Sequence, residues 1–110
     1  MHKMSLKGKY FNLIKSGEKT IELRLLDEKR AKIKIGDEIR FTHIDNSSDF
    51  VDVKVIDLHV SSSFANLFKS IDVKKSGFTN VKDMKDVLET FYPIEKQEEL
   101  GVVGIEIERI

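Results

Sequence analysis

Gly17-Glu18-Lys19-Thr20-Ile21-Glu22-Leu23-Arg24 releases a helix into a strand that carries charge along one face. Glycine supplies the left-handed stop that ends a helix. Beyond it Ile21, Leu23 and Leu25 alternate with Thr20, Glu22 and Arg24, the period of two that marks a strand over residues 20–26. Residues two apart in a strand point to the same side, roughly 6 to 7 Å from each other. One ligand can therefore touch Glu22 and Arg24 together, with Lys19 at the strand entrance. The same spacing also fits a half-buried strand with a solvated charged side, on which Glu22 pairs with Arg24 or Lys19 and meets no ligand.

Upstream, Tyr10, Phe11, Leu13 and Ile14 form the apolar stripe of a helix over about Lys7–Ser16, preceded by a short strand at His2–Leu6. Tyr10 at this position reads as a core residue, although it could also stack on a base. Downstream, Asp27-Glu28-Lys29-Arg30 is a connection too polar for a core, either a solvated loop or one that faces phosphate. Ile33 to Phe41 holds a Gly36-Asp37 turn and a strand with Ile39 and Phe41 on one face. Asn46-Ser47-Ser48-Asp49 reads as a turn and Phe50–Val60 as a long strand. Its inward set changes phase from Val51, Val53 and Val55 to Ile56, Leu58 and Val60, which predicts a bulge near Val55 and Ile56. Bulges bend strands, as barrel closure requires.

Ser61-Ser62-Ser63 can cap a short helix with Phe64, Leu67, Phe68 and Ile71 on one side. After a Lys74-Lys75-Ser76-Gly77 loop, Thr79 or Asn80 caps a longer helix that turns Val81, Met84, Val87, Leu88 and Phe91 inward and stops at Pro93. Residues 95–100 add a polar helical turn before Gly101. A last strand over Val102–Ile110 sets Val103, Ile105 and Ile107 opposite Glu106 and Glu108. No regular alternation of strand and helix runs through this order, so a doubly wound parallel sheet is not expected. The expectation is an α+β fold, a small mixed β-barrel with helices packed around it.

At 110 residues and 40% hydrophobic content, the chain suffices for one domain over 1–110 with one core. It has no cysteine, which excludes disulfides and thiolate metal sites and suits a reducing compartment. His2, His43 and His59 have no ligand-like spacing, and neither a metal nor a cofactor is indicated. No apolar run approaches the roughly 18 residues of a membrane span, and the start lacks the apolar core of a signal peptide, so a soluble cytoplasmic protein without a membrane partner is expected. The net charge of zero hides a division: residues 1–44 carry +5 and residues 45–110 carry −5. One basic face for a polyanion such as nucleic acid is consistent with that asymmetry.

The string Ile14-x-x-Gly17-x-Lys19-x-x-Glu22-x-Arg24, followed by Asp27-Glu28-Lys29-Arg30 and Ile35-Gly36-Asp37-x-Ile39, resembles the ASCH domain, the activating signal cointegrator homology domain. The likeness extends over nearly the whole chain, through the phenylalanine-rich helix after the long strand to Gly101-Val102-Val103-Gly104-Ile105-Glu106-Ile107. It implies a PUA-like fold, with a cleft between barrel and helices beside the Gly-x-Lys-x-x-Glu-x-Arg segment that is proposed to contact nucleic acid. Carried over, this selects Lys19, Glu22 and Arg24 for binding RNA or a nucleotide, with Lys29 and Arg30 extending a basic rim. The chemistry agrees: Arg forks onto phosphate or a guanine edge, Lys supplies a point charge, and a carboxylate accepts from a base amino group.

The resemblance also admits an enzyme. Some small ASCH proteins are amidohydrolases that remove the acyl group from acetylated cytidine with a lysine, a threonine and a glutamate. Lys19 matches the lysine, Glu22 stands at the threonine position, and Ser76-Gly77-Phe78 offers no acid where the glutamate falls. Lys19 and Glu22 remain as a catalytic pair for that reaction or for a ribonuclease, since a buried lysine depressed toward neutrality can activate water. A protein-interaction module is the third class, and it requires a large exposed apolar patch.

Overall fold

A computed structural model describes residues 1–110, and its elements stop where the sequence places its breakers. The strand β1 (His2–Leu6) leads through Lys7 into the helix α1 (Gly8–Ser16), which ends at Gly17 with φ 86°. An L-residue with a side chain resists that backbone. α1 buries Phe11 and Ile14 fully and leaves Tyr10 and Leu13 half-buried. β2 (Ile21–Leu25) follows directly. The charged connection after it is a helical turn and not a loop: Asp27 Oδ1 accepts from the Arg30 backbone N–H at 2.9 Å and caps α2 (Glu28–Ala31).

β3 (Glu38–His43) and β4 (Asn46–Ser61) form a hairpin that reverses at Ile44 and Asp45, ahead of the turn expected at Asn46–Asp49. Those polar residues open β4 as an irregular stretch, because Asn46 Oδ1 accepts from both the backbone N–H and the hydroxyl of Ser48. Thr42 thus pairs with Phe50 while His43 pairs with Asn46. The expected bulge lies between Val55 and Asp57 on β4, where it faces the last strand, β5 (Val102–Arg109).

The helical segment comprises α3 (Phe64–Leu67), a 3₁₀ turn at Val73–Ser76, α4 (Val81–Phe91) and α5 (Ile94–Leu100). Ser63 and Asn80 cap α3 and α4 through their side chains. α3 stops after Leu67, so Phe68 and Ile71 pack only partly. Of the stripe expected on α4, Met84 and Leu88 are buried, whereas Val81 and Phe91 are exposed. No helix is long and apolar enough to cross a membrane.

The five strands make one mixed sheet in the order β1-β3-β4-β5-β2, with β1 parallel to β3 and every other pair antiparallel. It curls into a half-barrel whose edge strands, β1 and β2, are not paired with each other. The single expected core is two clusters. One fills the barrel around Phe11, Phe41, Val53 and Ile105; the other packs Ile21 and Leu23 of β2 against Phe64, Leu67, Met84 and Leu88 of the helices.

Strand pairing then fixes the charged face. Directly paired residues share a side of a sheet. Glu22 pairs with Ile105 and Arg24 with Val103, and both partners belong to the barrel cluster. The face read as solvated therefore turns toward the barrel, while Ile21 and Leu23 turn toward the helices.

Candidate functional site

Ile21, Glu22 and Leu23 are buried in succession, which a strand allows only when both of its faces are covered. Lys19 is 5% and Glu22 3% exposed, so the solvated ion pair open to the sequence is replaced by a buried one. Glu22 Oε1 accepts from Lys19 Nζ at 2.7 Å and from its neighbour's backbone, Leu23 N, at 3.3 Å. Glu22 Oε2 accepts from Arg24 Nε at 2.8 Å. A charge taken from water is tolerable only when paired and hydrogen-bonded in this way.

Burial alone would push the Glu22 carboxyl up, but the Lys19 and Arg24 charges and their hydrogen bonds outweigh it and hold the group below its ordinary value. Burial likewise works against the Arg24 guanidinium, and the Glu22 charge more than restores it. The carboxylate is thus ionised, flanked by two cations, with both oxygens already accepting. Arg24 Nη2 also reaches the Ser5 carbonyl of β1 at 3.3 Å, so this row of charges spans the open seam of the half-barrel.

Local structure explains how each member is placed. The left-handed Gly17 turns the chain so that the Lys19 backbone N–H meets the Leu13 carbonyl at 3.0 Å, and Thr20 is fixed by Lys75 O at 2.8 Å. Gly77 (φ 89°) closes over the stem of Lys19; a methyl there would stand 3.2 Å from Lys19 Cδ. Beside the row a cavity of about 240 Å³ opens. Tyr10, Phe78, Phe91 and Tyr92 wall it, and Lys7 stands at its rim with Nζ 4.5 Å from the Phe91 ring centroid. Lys19 Nζ lies 5.0 Å from the centre of the Tyr10 ring, within cation–π range. Burial, and then the Glu22 charge, raise the Tyr10 phenol above its ordinary value, and burial raises that of Tyr92. Both hydroxyls stay protonated at neutral pH.

Lys19, Glu22 and Arg24 are thus brought together as the sequence suggested. Lys29 and Arg30 are not brought to the cavity: Lys29 Nζ donates to the Lys3 carbonyl at 2.9 Å, and Arg30 Nη1 pairs with Asp27 at 3.0 Å. Tyr10, read as core, lies on the cavity wall. The other aromatics escaped the sequence reading. Phe78 carried a signal, an aromatic beside a polar Lys-Lys-Ser-Gly loop, whereas Phe91 was hidden within an apparently regular apolar stripe.

A curled mixed half-barrel sheet with helices packed around it is the architecture of a PUA-like domain. Residues 4–110 match the ASCH domain, and the chain belongs to that family. It is similar to a crystal structure of hypothetical protein PH0355, at 38% identity over 98% of this chain and 97% of that one, with a TM-score of 0.86. It is also similar to the solution NMR structure of protein PF0455 from Pyrococcus furiosus, at 32% identity over 99% and 96% of the two chains, with a TM-score of 0.75. No curated protein matches the chain.

Proposed function

We propose that this ASCH domain binds RNA, or a nucleotide, by taking a single unstacked nucleotide into the cleft beside Lys19, Glu22 and Arg24. ASCH domains are generally proposed to bind RNA. The observation that carries the reading is the convergence, in one cavity of about 240 Å³, of three cations, one carboxylate and four aromatic rings. That volume lies below the roughly 300–1,000 Å³ of drug-sized sites, which favours one nucleotide over a longer stretch. Rings on the wall offer stacking to any base, and the cations offer contacts to phosphate or base edges. The three cations all come from the basic first part of the chain and three of the four rings from the acidic second part.

The test is fluorescence anisotropy with labelled single-stranded RNA over a salt series. Affinity should fall as salt rises. Tyr10→Ala should weaken binding roughly five- to 150-fold, the worth of one stacked base. Arg24→Ala, checked for folding by circular dichroism, should weaken it more than Lys96→Ala, whose side chain is exposed and outside the cleft. Equal losses for Arg24→Ala and Lys96→Ala, with no loss for Tyr10→Ala, would place the binding surface elsewhere.

A further inference from the structure

We infer a second, independent site: Asp57, His59 and Glu106 form a binding site for one divalent transition-metal ion of the zinc class. The three residues lie on β4 and β5, away from the cleft. Nothing in their sequence spacing suggests ligands, because Glu106 is 47 positions from His59. The fold assembles them.

The bulge is what makes the cluster. By setting Asp57 opposite Glu106, it puts these two carboxylates on one side of the sheet. His59 follows two residues later on the same side, directly opposite Gly104. Glycine leaves no side chain across from the imidazole, which leans onto the diagonal neighbour, Glu106. A methyl at Gly104 would instead stand 3.7 Å from His59 Cβ and 3.2 Å from Ile21 Cγ2.

Distances agree with a shared ion. His59 Nε2 lies 2.9 Å from Glu106 Oε1 and 3.7 Å from Asp57 Oδ2, and one donor atom from each residue falls within 4.8 Å of the others. Zinc bonds of about 2.0–2.2 Å in tetrahedral array set neighbouring ligand atoms roughly 3.3 Å apart, a value that these two separations bracket. One imidazole with two carboxylates is a donor set suited to zinc and its neighbours, whereas calcium and magnesium prefer oxygen alone. Asp57 is exposed and the other two are partly so. An ion therefore has an entry path and room for water as a fourth ligand. The competing account is a plain cross-strand pair of His59 with Glu106, which needs no third residue and offers a metal only two donors.

Isothermal titration of the untagged full chain with zinc chloride separates the two. The expected result is saturable binding of one ion per chain. His59→Ala and Asp57→Asn, each folded by circular dichroism, should both lose tenfold or more, since even outer-sphere partners of a metal are worth about 10–100-fold. His2→Ala supplies the control: His2 faces a single carboxylate, Asp37, at 2.9 Å, and its loss should leave the affinity unchanged. Absence of saturable binding, native affinity in His59→Ala or Asp57→Asn, or loss of the site in His2→Ala would each overturn the assignment.

Discussion

Replacing Glu22 with glutamine keeps the side-chain shape and removes its charge, leaving the Lys19 ammonium and the Arg24 guanidinium facing an uncharged amide in a buried setting. Breaking a buried ion pair by removing one partner costs about 3–5 kcal/mol, because the remaining charge stays uncompensated. For a chain of 110 residues, an unfolding entropy near 2.1 cal/mol/K per residue converts that loss into a melting-temperature fall of roughly 13–22 °C. The matched control is Glu99→Gln, whose partner Lys96 sits at 3.4 Å with both side chains mostly exposed. Such surface pairs contribute about 0–1 kcal/mol, so that variant should melt within a few degrees of the native chain.

Acid adds a second readout with a definite sign. The folded-state value of Glu22 lies below its ordinary 4.5, so its contribution is fully present above about pH 4.5 and is lost as pH falls through the depressed folded value. Asp37 and Asp52 are also lowered, the first by its hydrogen bond to His2 and the second by that to Arg40, and they share the acid window. The difference between native chain and Glu22→Gln isolates Glu22: the native melting temperature should fall more steeply below pH 4.5, and the two curves should converge. Thermal unfolding followed by circular dichroism from pH 3 to 7 measures both effects. A Glu22→Gln loss no larger than that of Glu99→Gln, with parallel acid curves, would refute the buried-charge reasoning.

Gly77→Ala should destabilise the chain more than Gly36→Ala in urea unfolding. Both glycines have positive φ, but only at Gly77 does the new methyl crowd Lys19 and Leu13, each at 3.2 Å; equal losses would mean that the loop over Lys19 yields freely. Deacylation of acetylated cytidine, followed as cytidine release, should be weak or absent, since Glu22 stands at the threonine position of that reaction, Ser76-Gly77-Phe78 offers no acid for its glutamate, and an absent general base costs ~10²- to 10⁴-fold. Robust turnover that disappears in Lys19→Ala would make the cleft an active site.

Much of the architecture was legible because its signals are local. Gly17 and Gly101 mark helix ends at positive φ, Asn80 caps α4, and the change of phase near Val55 gave the bulge that pairing displays. The sense of the charged face was not legible, for a definite reason. Alternation tells which residues share a side of a strand and nothing of what covers that side. β2 has apolar clusters on both sides, so its charged residues are as enclosed as its apolar ones. The covering of Lys19 comes from Gly77, far along the chain, and no pattern within residues 17–24 carries that contact. Phe91 illustrates the converse: its place in a helical stripe predicted burial, yet the end of α4 overhangs the cleft and leaves the ring 48% exposed.

Scaffolding alone accounts poorly for a buried Lys-Glu-Arg row. Replacing a buried ion pair or triad by apolar side chains of similar volume is often neutral or stabilising, by about 1–4 kcal/mol. The barrel could therefore be held as well without these charges. Arg24 does tie β2 to β1 across the seam, but through one bond of 3.3 Å to Ser5, near the long limit for a useful hydrogen bond. Pairing with Glu22, in contrast, fixes the Lys19 ammonium and the Arg24 guanidinium in set directions beside a cavity walled by aromatic rings. Pre-set charge lowers the ordering cost of binding. A row that apolar side chains could replace without loss to folding, and that holds two cations ready at the edge of a cleft, supports the proposal that the cleft receives a ligand.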